Sequence, residues 1–361
     1  MITFTCHCGN KLHFDNSVCL ACGRKVGFLP DIMQMSSLEP VESHRYRALK
    51  NDAFYRTCKN YHEYEVCNWM VPDSDPGELC QSCRLTSIIP NLTEPRNIKL
   101  WYRVEKAKRR LLYTLIELGL PVEGHDVNPA SGLEFRFMAN DPSLSEFRDE
   151  LSPNERVMTG HSTGTITINI EEADHSTLEE AREKMNERYR TLLGHFRHES
   201  GHYYWDKLVR DSRWIAEYRE MFGDETLDYQ TALNTYYAQG PVSGWQNHWV
   251  SAYASAHPWE DFAETWAHYL HMLDTLETAH DFGFSVRGQT HKKPVKLAQF
   301  SSGYGADISI EDLLNDWVRL TNALNAMNRS MGLSDAYPFV LSDWVAKKLD
   351  MIHRLVAESR R

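Results

Sequence analysis

All eight cysteines of this 361-residue chain fall before residue 84, and they fall in two sets of four. The first set runs Cys6-x-Cys8, ten residues, then Cys19-x-x-Cys22. The second runs Cys58, eight residues, Cys67, twelve residues, then Cys80-x-x-Cys83. Four thiolates satisfy the tetrahedral demand of a structural Zn²⁺. The start, MITFTCHCGNKLHF, has no basic segment followed by an apolar run, so a cytoplasmic setting is expected, where cysteines serve as metal ligands rather than disulfides. In CHCG and CLACG a glycine follows the last thiolate, where a tight turn lets backbone amides face the sulfurs. Cys58 and Cys67 are too far apart to share one knuckle, so Cys58 is expected to arrive from an upstream segment. Redox-active CxxC pairs are the rival reading, but no thioredoxin-like βαβ pattern accompanies them. His7, His13 and His62 are available as substitute ligands, although four cysteines already complete each site.

Ribbons of this kind often contact nucleic acid, and charge argues against that here. Residues 1–90 carry nine Lys/Arg against ten Asp/Glu, and the whole chain has a formal net charge of −11. Each zinc ion held by four thiolates adds roughly two more negative charges. Phosphate backbones call for a basic face, so no nucleic-acid partner is expected. Nor does any stretch of about 18 or more apolar residues suggest a membrane span.

The segment TSIIPNLTEPRN, residues 86–97, reads as a boundary. The expected organisation is a tandem zinc-ribbon region over 1–90, with four cysteines to each ribbon, and a second domain over 91–361. In the latter, IKLWYRVEKAKRRLLYTLIELGLP has helical spacing and stops at Gly119 and Pro121. LEFRFM (Leu133–Met138) and GTITINI (Gly164–Ile170) read as strands. Thr177 with Glu180 forms a candidate capping box for a helix beginning in HSTLEEAREKM. LLGHFRHESGHYYWDKLV, PWEDFAETWAHYLHMLDTLETA, IEDLLNDWVRLTNALNAM and LSDWVAKKLDMIHRLVAE read as helices, and TALNTYYAQGPVSGWQNHWVSAYAS as aromatic-rich and partly loop.

Within the first of those helices stands His-Glu-Ser-Gly-His. A chain of this composition contains an H-E-x-x-H string by chance roughly once in sixteen cases, so context must decide its meaning. On a helix His198 and His202 share one face and can grip one metal. Glu199 lies beside the first of them, where its carboxylate can act as general base on a metal-bound water. A catalytic zinc takes three protein ligands and leaves a fourth position open. In WEDFAETWAHY, Glu260 and Glu264 also share a helix face: the first is the candidate third ligand, the second can accept a ligand histidine's N–H. Asp261 points about 100° away and ranks behind Glu260.

HESGH followed by EDFAE resembles a gluzincin metallopeptidase, and is similar to members whose second motif reads E-x-F-A, among them the lethal-factor and Mlc-titration-factor types. In such relatives a tyrosine seven residues before the ligand glutamate helps stabilise the oxyanion; the matching position here is Tyr253. Fifty-seven residues separate His202 from Glu260, which fits the longer-spaced relatives rather than thermolysin-like enzymes. Taken whole, two ribbons followed by HESGHYYW and PWEDFAETWAHYLH resemble the bacterial zinc-binding metallopeptidase family with N-terminal zinc ribbons. The resemblance implies an α+β fold: two small ribbons, then a mainly helical zincin-like metallopeptidase domain with a small β-sheet. It implies one catalytic and two structural Zn²⁺, and a polypeptide substrate that would pair with GTITINI as an edge strand.

Blander roles compete at several positions. Glu260 also suits a helix start, where the dipole favours an acid, and Tyr253 could be an aromatic packing residue. His195 lies one turn upstream of the motif and reads as a core histidine; His257, His268 and His271 read as structural before they read as substrate-binding. Two other functions remain open on the same residues: a zinc amidase acting on a non-peptide substrate, and a ribbon-based protein- or nucleic-acid-binding regulator with an inactive hydrolase fold.

Overall fold

The structure is a computed structural model that describes residues 2–140, 159–174, 191–287, 294–296 and 308–360. The candidate helix start at Thr177 and Glu180 lies outside them. The described chain is α+β and divides into two compact units, one of residues 2–113 and 122–196, the other of residues 114–121 and 197–361. Among the described residues no helix is long and apolar enough to cross a membrane.

The first unit holds every cysteine. A two-stranded knuckle of β1 (Phe4–Thr5) and β2 (Lys11–Leu12) precedes a five-stranded antiparallel sheet in the order β3 (Val26–Leu29), β4 (Gln34–Glu42), β5 (Arg45–Ala48), β6 (Phe54–Thr57) and β7 (Met70–Pro72). A single helical turn, α1 (Lys59–His62), follows β6. Phe14 and Phe28 pack edge-on against Tyr113 of α2 (Pro95–Glu117), and Trp69 packs on both phenylalanines, centred 4.8 Å from Phe28. Such ring pairs contribute beyond the area they bury.

A second sheet in this unit runs β10–β11–β9–β8, with β8 (Thr86–Ile88), β9 (Glu134–Met138) and β11 (Thr165–Asn169) mutually parallel. Thr86–Ile88 thus pairs with a strand some fifty residues on, so the stretch read as a boundary carries a sheet strand. One expectation fails here. The GTITINI strand is not an edge, because β10 (Gly160–Ser162) pairs along its outer side. The cause is local: Thr163 and Gly164 both have positive φ, 47° and 85°, the conformation of a two-residue hairpin turn that folds β10 back onto β11. Among the described residues the edges of this sheet are β10 and β8.

The second unit is helical: the C-terminal part of α3 (Leu192–Leu208), then α4 (Ile215–Met221), α5 (Tyr229–Gln239), α6 (Pro258–Asp281), α7 (Ile310–Ser330) and α8 (Asp343–Glu358). Helix α6 starts as its sequence dictates, with His257 as N-cap, Pro258 in the first turn and two acids behind it. Gly201 of α3 lies so close to α6 that a Cβ there would meet the Ala263 Cα at 2.8 Å. Trp266 Nε1 donates to the Ser200 hydroxyl at 3.1 Å. Ser200 and Gly201 of HESGH therefore fasten the motif helix to α6.

Asp261, fully buried, pairs with Lys348 of α8 at 2.5 Å, and Lys348 also donates to the His248 carbonyl at 2.7 Å. Burial pushes the Asp261 carboxyl up to about 7 against the pull of the Lys348 ammonium. Removing one partner of a buried pair leaves the other uncompensated. Lys348→Met is accordingly expected to cost about 3–5 kcal/mol of stability, read as a lower denaturant midpoint. The double change Lys348→Met/Asp261→Leu should recover most of that loss. A single variant as stable as the parent would show that the pair contributes nothing.

Candidate metal centre

The fold brings together three groups of ligating side chains. Cys6, Cys8, Cys19 and Cys22 form one, Cys58, Cys67, Cys80 and Cys83 a second, and His198, His202 and Glu260 a third. Zinc–sulfur bonds of about 2.3 Å in a tetrahedron set sulfurs about 3.8 Å apart. The Cys6–Cys22, Cys8–Cys19 and Cys67–Cys80 sulfur pairs each lie 3.7 Å apart. Both donor sets fit the ion. His7, His13 and His62 are in neither group.

In the first set, the Cys22 backbone N–H does most to hold the Cys19 thiol down, at about 6. In the second, all four thiols are buried, and the backbone N–H groups of Trp69, Cys80 and Cys83 donate to the sulfurs of Cys67, Cys58 and Cys80 at 3.3–3.4 Å. Such bonds stabilise thiolates. Arg109 of α2, itself 1% exposed, donates to the Val66 carbonyl at 2.6 Å. Burial works against its charge, but Cys67 and Glu105 raise its pKa, so its guanidinium serves as a local counter-charge to the sulfurs.

In the third group His198 and His202 project from one face of α3, and Glu260 stands in the first turn of α6. The Glu260 carboxylate lies 3.0 Å from His198 Nε2 and 3.5 Å from His202 Nε2. Bonds of about 2.0–2.1 Å in a tetrahedron place nitrogen and oxygen ligands about 3.4 Å apart, so these three also fit a zinc ion. His198, Glu199 and His202 are each at most 8% exposed, and Glu260 is 1% exposed. Burial opposes a charge on His198, yet the Glu260 and Glu264 carboxylates outweigh it and hold the ring well above its usual range. A site that favours a cation this strongly is suited to a metal.

Glu264 accepts from His198 Nδ1 at 2.7 Å and from the Ser251 hydroxyl at 2.6 Å. Burial opposes ionisation of Glu264, but the His198 hydrogen bond and charge prevail and hold its carboxyl at about 2. His198 thereby donates through Nδ1 and keeps Nε2 on the Glu260 side, the nitrogen that a metal ion would take. Tyr253 lies against this ring, centroids 5.9 Å apart, and burial followed by the Glu260 charge pushes its phenol well up. Asp261 faces Lys348 instead of the histidines.

Three neighbours were absent from the sequence reading. Tyr229 donates to Glu260 Oε1 at 2.6 Å, Ser251 holds Glu264, and the Trp259 ring lies 4.0 Å from that of His202. Asp228 caps the helix that Tyr229 opens, and that cap was the available sequence signal. His195 bonds Glu172. His257 caps α6, His268 meets the Tyr337 hydroxyl at 2.7 Å, and His271 meets Arg197 at 3.1 Å. All four histidines thus have structural partners.

A chain with two thiolate clusters and a buried His–His–Glu cluster, each spaced for one ion, falls in the class of zinc-binding proteins. It belongs to the family described as "Putative zinc-binding metallo-peptidase", whose family model matches residues 97–355. A zinc-ribbon domain matches residues 3–94. Relatives along nearly the whole chain are uncharacterized proteins of Mycobacterium bovis and of two strains of Mycobacterium tuberculosis. Each is 40% identical over 360 residues, covering 99% of this chain and 96% of the relative. No solved structure matches.

Proposed function

We propose that this protein is a zinc-dependent peptidase whose catalytic ion is held by His198, His202 and Glu260. The observation that carries the reading is the Glu260 carboxylate at 3.0 and 3.5 Å from the two imidazole nitrogens, across 57 residues of intervening chain. Held by His198, His202 and Glu260, a zinc ion would lower the pKa of a water toward neutrality and would polarise a carbonyl. Glu199, beside His198, takes the proton from the attacking water and delivers it to the departing amine nitrogen. Tyr253, protonated as a phenol is at neutral pH, donates a hydrogen bond to the carbonyl oxygen as negative charge develops there. Glu264 fixes the His198 tautomer, and Tyr229 orients Glu260 through Oε1. The cysteine sets hold two structural ions in a ribbon region over 1–90, ahead of the catalytic region over 91–361. The substrate is a polypeptide.

The reading predicts three zinc ions per chain, one for each ligand group, and two in His202→Ala. Cleavage of a mixed peptide library should fall to background in that variant while both thiolate sites stay filled. Undiminished cleavage by His202→Ala would overturn the proposal, and so would a fully loaded parent that cleaves small acyl amides but no peptide.

A further inference from the structure

A cleft of about 470 Å³ opens in the helical unit beside the His–His–Glu cluster. Two of its lining residues touch that cluster: Tyr229 through its hydrogen bond to Glu260, and Trp259 through its ring against His202. The remaining apolar wall is Trp205 and Ile215. Trp205 meets Trp259 edge to face, centroids 6.3 Å apart at 76°, and Tyr229 meets Trp259 at 5.8 Å and 78°. The Arg210 guanidinium lies over the Trp205 ring at 5.1 Å, so the surface on which a further ring can pack is that of Tyr229 and Trp259, set near right angles to each other.

The charges along this cleft cancel. Arg210 and Arg219 line it together with Asp211 and Glu225. Arg219 is held by Glu225, its Nε at 3.0 Å, and Arg210 by Asp206 at 2.7 Å. The buried His257 uses both ring nitrogens, accepting from Trp259 N–H at Nδ1 and meeting the Leu227 carbonyl at Nε2, each at 3.1 Å. Asp211 is left over from these pairs, but it is exposed, where solvent screens its charge, so no buried charge stands in the cleft to recognise an acidic or a basic group. The lining instead offers aromatic surface of a volume ordinary for a ligand pocket.

We propose that this cleft is the side-chain specificity pocket of the site and takes a large neutral side chain, aromatic above all, from the residue flanking the cleaved bond. The inference rests on the peptidase reading. The residue filling the cleft lies against Tyr229 and Trp259, so its backbone reaches the His–His–Glu cluster within one residue.

The test uses the zinc-loaded full chain and peptides in which the positions around the cleaved bond are, in turn, Phe, Trp, Leu, Ala, Glu and Lys. At one of those positions Phe or Trp should exceed Ala, Glu and Lys in kcat/KM on the order of 10- to 100-fold, the range of discrimination that hydrophobic pockets achieve. Ile215 is only partly buried and takes no part in the chemistry. Ile215→Arg should fill the cleft and erase the aromatic advantage, with zinc content and thermal midpoint at the parental values. A second measurement needs no cleavage: titration of N-acetyl-phenylalanine amide and N-acetyl-alanine amide into Glu199→Gln, followed by tryptophan fluorescence, should show selective binding of the former. Cleavage without aromatic preference, and equal binding of the two amides, would overturn the inference and leave the peptidase reading intact. No cleavage of any peptide, with phenylalanine-amide binding that Ile215→Arg abolishes, would sink the peptidase reading and uphold the aromatic preference of the cleft.

Discussion

Glu199→Gln is expected to lower kcat/KM for peptide hydrolysis by about 10²- to 10⁴-fold, the range that a positioned general acid–base supplies. Zinc content should stay at the parental value. The two outcomes belong together because of where the residue stands. Glu199 is buried on α3 next to His198, yet it is not among the three side chains whose ligating atoms converge. Glutamine has the same shape and leaves His198, His202 and Glu260 undisturbed, but its amide cannot accept the proton that water must lose. Both Tyr229 and Tyr253 feel the Glu199 charge. Steady-state kinetics on one cleaved peptide, with metal analysis of the same sample, checks both outcomes. A variant that keeps full activity would remove Glu199 from the chemistry, and one that loses its zinc would show a structural part instead.

The residues of this site that are legible in the sequence owe it to local geometry. A helix repeats every 3.6 residues, so His198 and His202, and likewise Glu260 and Glu264, advertise a shared face whatever the rest of the chain does. The cysteines advertise themselves by number and spacing. Even the meeting of the two helices left a mark, in Gly201 and Ala263, small residues at a point where the backbones approach closely. Tyr229 and Ser251 left none of comparable strength. Each comes from the 57-residue stretch between the motifs, and its position depends on how that stretch returns to α6 rather than on any repeat. No residue of α5 is buried, so its sequence carries no core-facing stripe to declare which side approaches Glu260.

The same contrast governs the fold. Helix α2 ends at Glu117, with Gly119 at a φ of 69°, as its stop signals require. The strands β9 and β11 were visible as alternation, but alternation says nothing about neighbours. Partner choice was set by the turn at Thr163–Gly164, which makes β11 interior, and by Thr86–Ile88, where a strand lies in a stretch that reads as a boundary. The buried Asp261–Lys348 pair joins residues 87 apart in sequence, and neither residue's local context announces the other.

Cys80→Ser should remove one zinc ion per chain and unfold the region around residues 58–83. Its sulfur is buried at 1% exposure, 3.7 Å from that of Cys67, and accepts the Cys83 N–H, while its own N–H reaches the Cys58 sulfur. One residue thus contacts the other three members of the set. Structural zinc contributes about 10–16 kcal/mol of apparent binding energy in zinc-finger peptides at neutral pH, and that energy is folding energy. A whole domain is stable by only about 5–15 kcal/mol, so losing the ion removes stability on the scale of the total. The loss is compounded because the Arg109 guanidinium, buried beside this set, would keep its charge while losing the sulfur charge that balances it. Limited proteolysis should therefore cut Cys80→Ser within residues 58–83 at protease levels that leave the parent intact, with two zinc ions retained per chain. If the variant resists protease as the parent does and keeps all its metal, the second thiolate set is not what holds this region together. The packing of Phe28, Trp69 and Tyr113 would then have to suffice alone.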